Sequence, residues 1–599
     1  MSLAATRSAT PFDGWVRRAK SALVELDFLN GLPLVFSGIA LSFVLFLVGF
    51  VLYMTFVAGL PIEPDYTLDN WKRVARSRML TQVIPNTLIV GFGTALVATI
   101  FALPLAWLLN RTTLPCRNAF ITMMAVVVIV PGFIKAMGWI MLVNDRIGLL
   151  NRAIEGALGM EKVAWTVVNN PYGIAWVMGL MLTPTMFFLL SGPMRALDPA
   201  LEEAAAVSGG NHWVTTWWVS LPLIWPGILS GMIYIFMTAV SIFEVPALLG
   251  AASGKVPVLA TELFYAVRPP GEEVATIAYG AAGVYGVLIA MPSCLALYFY
   301  VRLLAKVRHY EVVTGKGYRP RDIDLGKFTW IGMVFVVVYL LLAAGLPFLV
   351  LLWASLLPYL QIPTFSALKN ISLYNYDGLL AALGGARVVW NTLVLAVSVS
   401  LLVTFLSFMV SWVVVRTRFR LRKAMDIVAM LPHAFPGLAF AFALFMVALV
   451  LSIWLPEISM RGTLAIIVLA NVINRLSYGT RVTNAALFQI QSDLEECGKV
   501  CGARNLTIMR WIVAPLIKPS LVFAGVWTGL LTFQEVTMAL FLAESHNRVL
   551  SVSIWQLWSS GNIGVACAGA VVMVTIMAFL MSMTLKLTGG KVTEHRQLG

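Results

Sequence analysis

Residues 86–112 read NTLIVGFGTALVATIFALPLAWLLNRT, and residues 391–417 read NTLVLAVSVSLLVTFLSFMVSWVVVRT. Each run is long and apolar enough to cross a bilayer as a helix, for which roughly 20 residues suffice. The two runs also share a register. At an offset of 305, Asn86-Thr87-Leu88 returns as Asn391-Thr392-Leu393, followed by Leu96/Leu401, Thr99/Thr404, Trp107/Trp412 and Arg111-Thr112/Arg416-Thr417. Working outward, Thr67-Leu68-Asp69-Asn70 matches Ser372-Leu373-Tyr374-Asn375, and Pro131-Gly132 matches Pro436-Gly437. Any two apolar helices can look alike. Polar and Pro-Gly landmarks that keep one register are a duplication.

The composition agrees with a membrane protein. Of 599 residues 60% are hydrophobic and only 12% charged, with a mean hydropathy of +0.87; soluble domains carry about 25% charged residues. Apolar runs lie near 33–57, 88–109, 119–142, 172–191, 226–249, 278–301, 329–356, 391–415, 424–452, 463–478, 519–542 and 563–585. Twelve spans are expected, the tenth weakened by Asn471, Asn474 and Arg475. The expected fold is an all-α membrane protein whose twelve helices form two six-helix repeats. An even number of spans per copy gives both copies one orientation, related by a pseudo-two-fold axis along the membrane normal. The domains then run as a cytoplasmic N-terminal segment 1–32, a first membrane domain 33–301, a basic linker 302–328, a second membrane domain 329–585 and a tail 586–599.

The net charge of +14 is a topology signal. With both termini in the cytoplasm, the inner segments carry about twice the Lys and Arg of the outer loops, as the positive-inside rule asks. Arg302 to Lys327 and Arg416 to Lys423 are the densest runs, and both fall inside. Nucleic acid is not an expected partner. The five cysteines form no CxxC pair; Cys497 and Cys501 sit at helical i, i+4 spacing without His or carboxylate company, which favours small-residue packing over a metal site.

The loop after the fourth span of each copy carries the functional signal. The first, near 195–225, reads Leu201-Glu202-Glu203-Ala204-Ala205-Ala206-Val207-Ser208-Gly209, then Leu221-Pro222. The second, near 486–518, reads Leu494-Glu495-Glu496-Cys497-Gly498-Lys499-Val500-Cys501-Gly502, then Ala514-Pro515. Asp198-Pro199 or Ser492-Asp493 can cap a short helix whose first-turn glutamates suit the macrodipole. Small residues keep its surface smooth, and the glycine ends it. Such a helix reads as a docking knob.

These segments resemble the EAA loop (E-A-A-x3-G, then a leucine-proline step) of ABC-importer permeases, and the two fused copies resemble the ferric-iron permease group. The resemblance covers 67–585; the second copy departs from it in having Cys497-Gly498 for the two alanines. It implies a multi-pass bacterial inner-membrane permease that receives a small solute from a periplasmic binding protein and is driven by a separate ATP-binding subunit dimer. Glu203, Ala204, Ala205 and Gly209, with Glu496 and Gly502, would couple to that dimer. Ferric iron is the first expected passenger; thiamine, a phosphonate or a polyamine are the alternatives.

No enzyme chemistry is expected on the chain. No G-x-x-x-x-G-K-[ST] is present, so ATP and Mg are expected on the partner and no cofactor here. The five histidines are scattered. Intramembrane charges are costly and default to function. Glu244 in span five and Glu535 in span eleven match at an offset of 291. Either they line a substrate path near its outer mouth, or they bond to neighbouring helices as gate or packing residues. Lys135 reads as a snorkelling lysine and His433 as a packed histidine at a helix break. The rival class, an ion- or proton-coupled secondary transporter of two times six helices, would carry a G-x3-D-R signature between spans two and three. That loop reads Asn110-Arg111-Thr112-Thr113-Leu114-Pro115 instead.

Overall fold

Inside a bilayer every backbone N–H and C=O needs a partner within its own segment, so apolar runs become helices. A computed structural model describes residues 31–587 apart from 63–64, 145–147, 160–165, 196, 198, 210, 252–255, 270–276 and 308–322. Nearly all of the expected N-terminal segment, most of the basic linker, nearly all of the tail and the Asp198 cap therefore lie outside the described residues.

The main helices in chain order are α1 (Leu32–Met54), α2 (Ile84–Arg111), α3 (Arg117–Ile129), α4 (Gly132–Leu142), α5 (Pro171–Arg195), α6 (Pro199–Val207), α7 (Leu221–Ser241), α8 (Tyr279–Val307), α9 (Thr329–Leu340) and α10 (Leu346–Ser355). They continue as α11 (Ala386–Arg416), α12 (Arg422–Ala434), α13 (Gly437–Trp454), α14 (Leu464–Phe488), α15 (Asp493–Val500), α16 (Ala514–Phe533), α17 (Thr537–Leu542) and α18 (Ile563–Leu587). Among the described residues ten helical stretches are long and apolar enough to cross a membrane, or eleven when α3 and α4, bent by 94°, count as one. Eleven of the apolar runs fall on these. The run at 463–478 falls on α14, which is not among them, because Asn471, Asn474, Arg475, Arg481 and Asn484 dilute it.

Proline shapes the helix starts. Wide turns of the i→i+5 type at Met79–Val83, Thr216–Ser220, Leu341–Gly345 and Met509–Val513 each stand just ahead of Pro85, Pro222, Pro347 or Pro515. Proline has no N–H to give and its ring crowds the carbonyl four residues back. Widening the turn relieves both. The two spans expected to start at residues 226 and 519 begin earlier for this reason, at Thr216 and Asn505.

Two compact units divide the chain. Of the described residues, the smaller comprises 31–46, 400–432 and 475–528. Its core is Phe408, Met409, Trp412, Leu487, Ile508, Val513 and Ile517, with a second cluster of Leu41, Val410, Ala429 and Leu476. Small residues bring its helices together: a Cβ on Gly479 would meet Ser407, and Ser400 Oγ donates to the Gly525 carbonyl at 2.7 Å. The larger unit comprises the described residues within 47–399, 433–474 and 529–587. There α2 packs along α5 and α7, and a Cβ on Gly91 would strike Phe236 while one on Gly179 would strike Val97.

Within the larger unit the repeated landmarks make repeated bonds. Asn70 Nδ2 donates to the Thr55 and Val57 carbonyls; Asn375 Nδ2 donates to those of Ser355 and Leu357. Thr87 Oγ1 accepts the Leu259 N–H at 3.0 Å, and Thr392 Oγ1 accepts the Leu550 N–H at 2.8 Å.

Candidate functional site

The first candidate site is the pair of short helices α6 and α15. Helix α6 has Glu202 in its first turn, and α15 has Asp493, Glu495 and Glu496. The expected side-chain cap from Ser492 is not made; its carbonyl instead accepts the N–H groups of Glu495 and Glu496, and the acidic first turn itself answers the dipole. Each helix ends as the spacing predicts. Gly209 (φ +86°) and Gly502 (φ +79°) adopt the left-handed conformation that L side chains resist. At α15 the Gly502 N–H bonds the Lys499 carbonyl and the Ala503 N–H bonds that of Gly498, the two bonds of a Schellman end.

The doubled glutamates divide their work. Glu203 and Glu496 are exposed. Glu202 and Glu495, one residue earlier, turn inward to arginine: Arg111 Nη2 pairs with Glu202 Oε2, and Arg416 Nε lies 2.9 Å from Glu495 Oε1. Ser220 Oγ donates a further bond to Glu202 at 2.8 Å. Ala204 is exposed and Ala205 half-buried. At the last residue of each helix, Val207 is 91% and Val500 88% exposed, with Leu201 and Leu494 also exposed. Cys497 and Cys501 are exposed rather than packed. Sequence reasoning chose the outward glutamates and missed the inward ones. The signal was there, since Arg111-Thr112 and Arg416-Thr417 were already matched landmarks.

The second candidate site surrounds Glu244 and Glu535. The apolar runs there do not continue as single helices. α7 stops at Ser241 and the chain restarts at Glu244; α16 stops at Phe533 and restarts at Thr537. Both glutamates thus sit at breaks. The Thr537 hydroxyl donates to Glu244 Oε2 at 2.8 Å, joining a first-copy carboxylate to the second copy. Glu535 receives the Met538 and Ala539 N–H groups at 2.8 and 3.1 Å, closing the open N-terminus of α17. The other end of α17 also meets the first copy, where Arg268 donates to the Phe541 carbonyl at 2.9 Å and lies over the Phe445 ring. A Cβ on Gly132, at the α3–α4 bend, would lie 3.2 Å from Glu244 Oε1.

Lys135 does not snorkel. It is buried, and Nζ donates to the Val127 carbonyl at 2.7 Å. That carbonyl would ordinarily accept the N–H of residue 131, which is proline, so the lysine fills a bond Pro131 cannot make. His433 stacks on Tyr234 at 4.6 Å, a packed histidine as read. Among the described residues no group of His, Cys, Asp and Glu could hold a metal ion.

Residues 404–587, which contain α15, match the model of the binding-protein-dependent transport system inner membrane component. The matched residues lie in the second copy. Over longer lengths the chain is similar to the ferric transport system permease protein FbpB of Actinobacillus pleuropneumoniae, 25% identical over 573 residues, 94% of this chain and 80% of that one. It is also 25% identical over 548 residues to a putative ferric transport system permease protein FbpB 1 of Haemophilus influenzae, covering 90% and 83%. Over 195 residues, 32% of this chain and 68% of the relative, it is 26% identical to the spermidine/putrescine transport system permease protein PotB of Escherichia coli. The chain thus resembles, over most of its length, permease proteins named for ferric transport, and residues 404–587 resemble the inner membrane component of binding-protein-dependent transport systems.

Proposed function

We propose that the chain is a membrane-spanning permease subunit of a binding-protein-dependent ABC importer, moving ferric iron across a bacterial inner membrane. Twelve helices form two six-helix repeats, 33–301 and 329–585, joined by the basic linker 302–328, with both termini cytoplasmic. Helices α6 and α15 dock on a dimer of ATP-binding subunits, which bind ATP and Mg, and a periplasmic binding protein delivers the solute. The observation that carries this reading is the doubled short helix. Each copy places a valine near full exposure on a glycine-ended helix, one acidic residue outward and one tied inward.

Iron is supported by the two long ferric-permease likenesses and by two carboxylates at matched breaks. Their internal bonds favour a gating role for Glu244 and Glu535: they hold α17, and a passenger passes when those bonds open. The polyamine-permease likeness keeps a polyamine as the second passenger, and thiamine or a phosphonate follow. The test is uptake by proteoliposomes holding the chain, its ATPase and its binding protein. Ferric iron should accumulate with ATP, and Gly209→Trp with Gly502→Trp should abolish uptake while the chain stays folded. Normal ATP-driven uptake in that double variant would overturn the docking role, and uptake of spermidine or thiamine instead of iron would overturn the substrate.

A further inference from the structure

Arg111 and Arg416 occupy the same place in the two copies, the last residue of α2 and of α11. An arginine there ordinarily reaches its own helix carbonyls or lipid headgroups. Here each turns instead to the first-turn glutamate of the following short helix. The pairs are dry: the Arg111 and Glu202 side chains are 1% and 18% exposed, those of Arg416 and Glu495 12% and 11%.

The surroundings repeat the connection with different atoms. Arg416 also donates to the Leu487 and Ile490 carbonyls at 2.8 Å, where α14 ends. In the first copy the neighbouring Asn110 makes that link to the end of α5, giving a bond to Ser191 Oγ at 3.1 Å and accepting one from Arg195 Nε at 2.7 Å. Each copy thus ties three elements at one corner: the end of its second span, the end of its fourth span and the start of its short helix. Distinct atoms reaching one connectivity argue for a requirement on the connection rather than an inherited contact.

We infer that Arg111 and Arg416 are positioning residues for ATPase coupling, each locking its docking helix to two membrane helices through the first glutamate, so that the helix moves with them as one body. This rests on the permease reading above. A tethered knob transmits displacement, whereas a knob on a slack loop absorbs it. The largely buried pair suits the task because separating its partners would leave an uncompensated charge away from water, which is strongly unfavourable.

The test uses the full chain with its ATPase. Spin labels go on Val207→Cys or Val500→Cys, with the four exposed native cysteines replaced by serine. Arg416→Ala should raise label mobility at position 500 and weaken ATPase binding at least tenfold, whereas Arg416→Lys, which keeps a charged donor for Glu495 and for the Leu487 and Ile490 carbonyls, should stay within threefold of the parent chain in both. If Arg416→Ala fails to accumulate, Glu495→Gln takes its place with the same expected results. An unchanged label spectrum in Arg416→Ala would overturn the inference, as would a folded Arg416→Lys chain that loses both properties as fully as Arg416→Ala. Should mobility rise while ATPase binding stays intact, the coupling role falls. Should ATPase binding be lost in the Gly209 and Gly502 variants but not in the arginine ones, the inference fails and the docking reading survives.

Discussion

Helices α6 and α15 present the same outward residues on different supports. Glu203 and Val207 correspond to Glu496 and Val500, and all four are exposed. Underneath, the first copy uses polar bonds: Arg111 and Ser220 both reach Glu202. The second copy has Val513 where the first has Ser220, and Gly498 where the first has Ala205. Gly498 is buried, and a Cβ there would lie 2.9 Å from Ile512 and 3.2 Å from Ile508. The second helix is therefore seated by apolar packing into the space of a missing methyl group. The departure from E-A-A that the second loop shows is a repacking of its inner face. What faces outward is held constant, and what lies beneath is free to change so long as the helix stays in place.

The comparison breaks first at the glutamates. Glu202→Ala should cost about 3–5 kcal/mol, since it strands a wholly buried guanidinium whose Nε and Nη1 have no partner among the described residues. Glu495→Ala should cost visibly less, because Arg416 keeps the Leu487 and Ile490 carbonyls. Thermal unfolding in detergent measures both, and equal losses would refute the idea of unequal supports. Next come the small residues. Gly498→Ala should destabilise by about 1–3 kcal/mol through overpacking against Ile512. Ala205→Gly should cost about 1 kcal/mol of helix propensity, and the reverse order would show that the isoleucines yield.

A third test concerns the glutamates at the helix breaks. Glu535→Gln keeps one acceptor for two N–H groups, so α17 should lose about 1–2 kcal/mol. Glu244→Gln still accepts from Thr537, so a smaller change in stability is expected. For a gate, binding-protein-stimulated ATP hydrolysis and uptake should shift together in the pair of variants. Uptake lost with hydrolysis intact would instead make the carboxylates cation contacts. A last, modest effect belongs to the helix ends. Gly209→Ala and Gly502→Ala should each cost about 1–2 kcal/mol from backbone strain alone, because nothing lies within 4 Å of either added Cβ. Matched values would confirm that this feature, unlike the supports, is shared.

Most of the architecture was legible because hydrophobic length is a local property. Asn86-Thr87 and Asn391-Thr392 announced the duplication, and their hydroxyls do make the same bond twice. The glycine ends of α6 and α15 were legible too, since positive φ selects glycine at once. Harder to read were the breaks at Glu244 and Glu535, where the surrounding text stays apolar, and the inward turn of Glu202 beside the outward Glu203. Two adjacent glutamates are identical as text and differ only in what stands opposite them.

The sequence by itself determined that this chain lives in a membrane, that it is written twice, and that each copy carries a short small-residue helix ended by glycine. Those are matters of apolar length, register and backbone conformation, each decided within a few turns. Only the tertiary structure decided which glutamate is anchored, that Lys135 serves the carbonyl Pro131 leaves open, and that Glu244 meets Thr537 across 293 residues. Those bonds depend on atoms brought together from separate helices, and burial makes each of them matter by removing the water that would otherwise take its place.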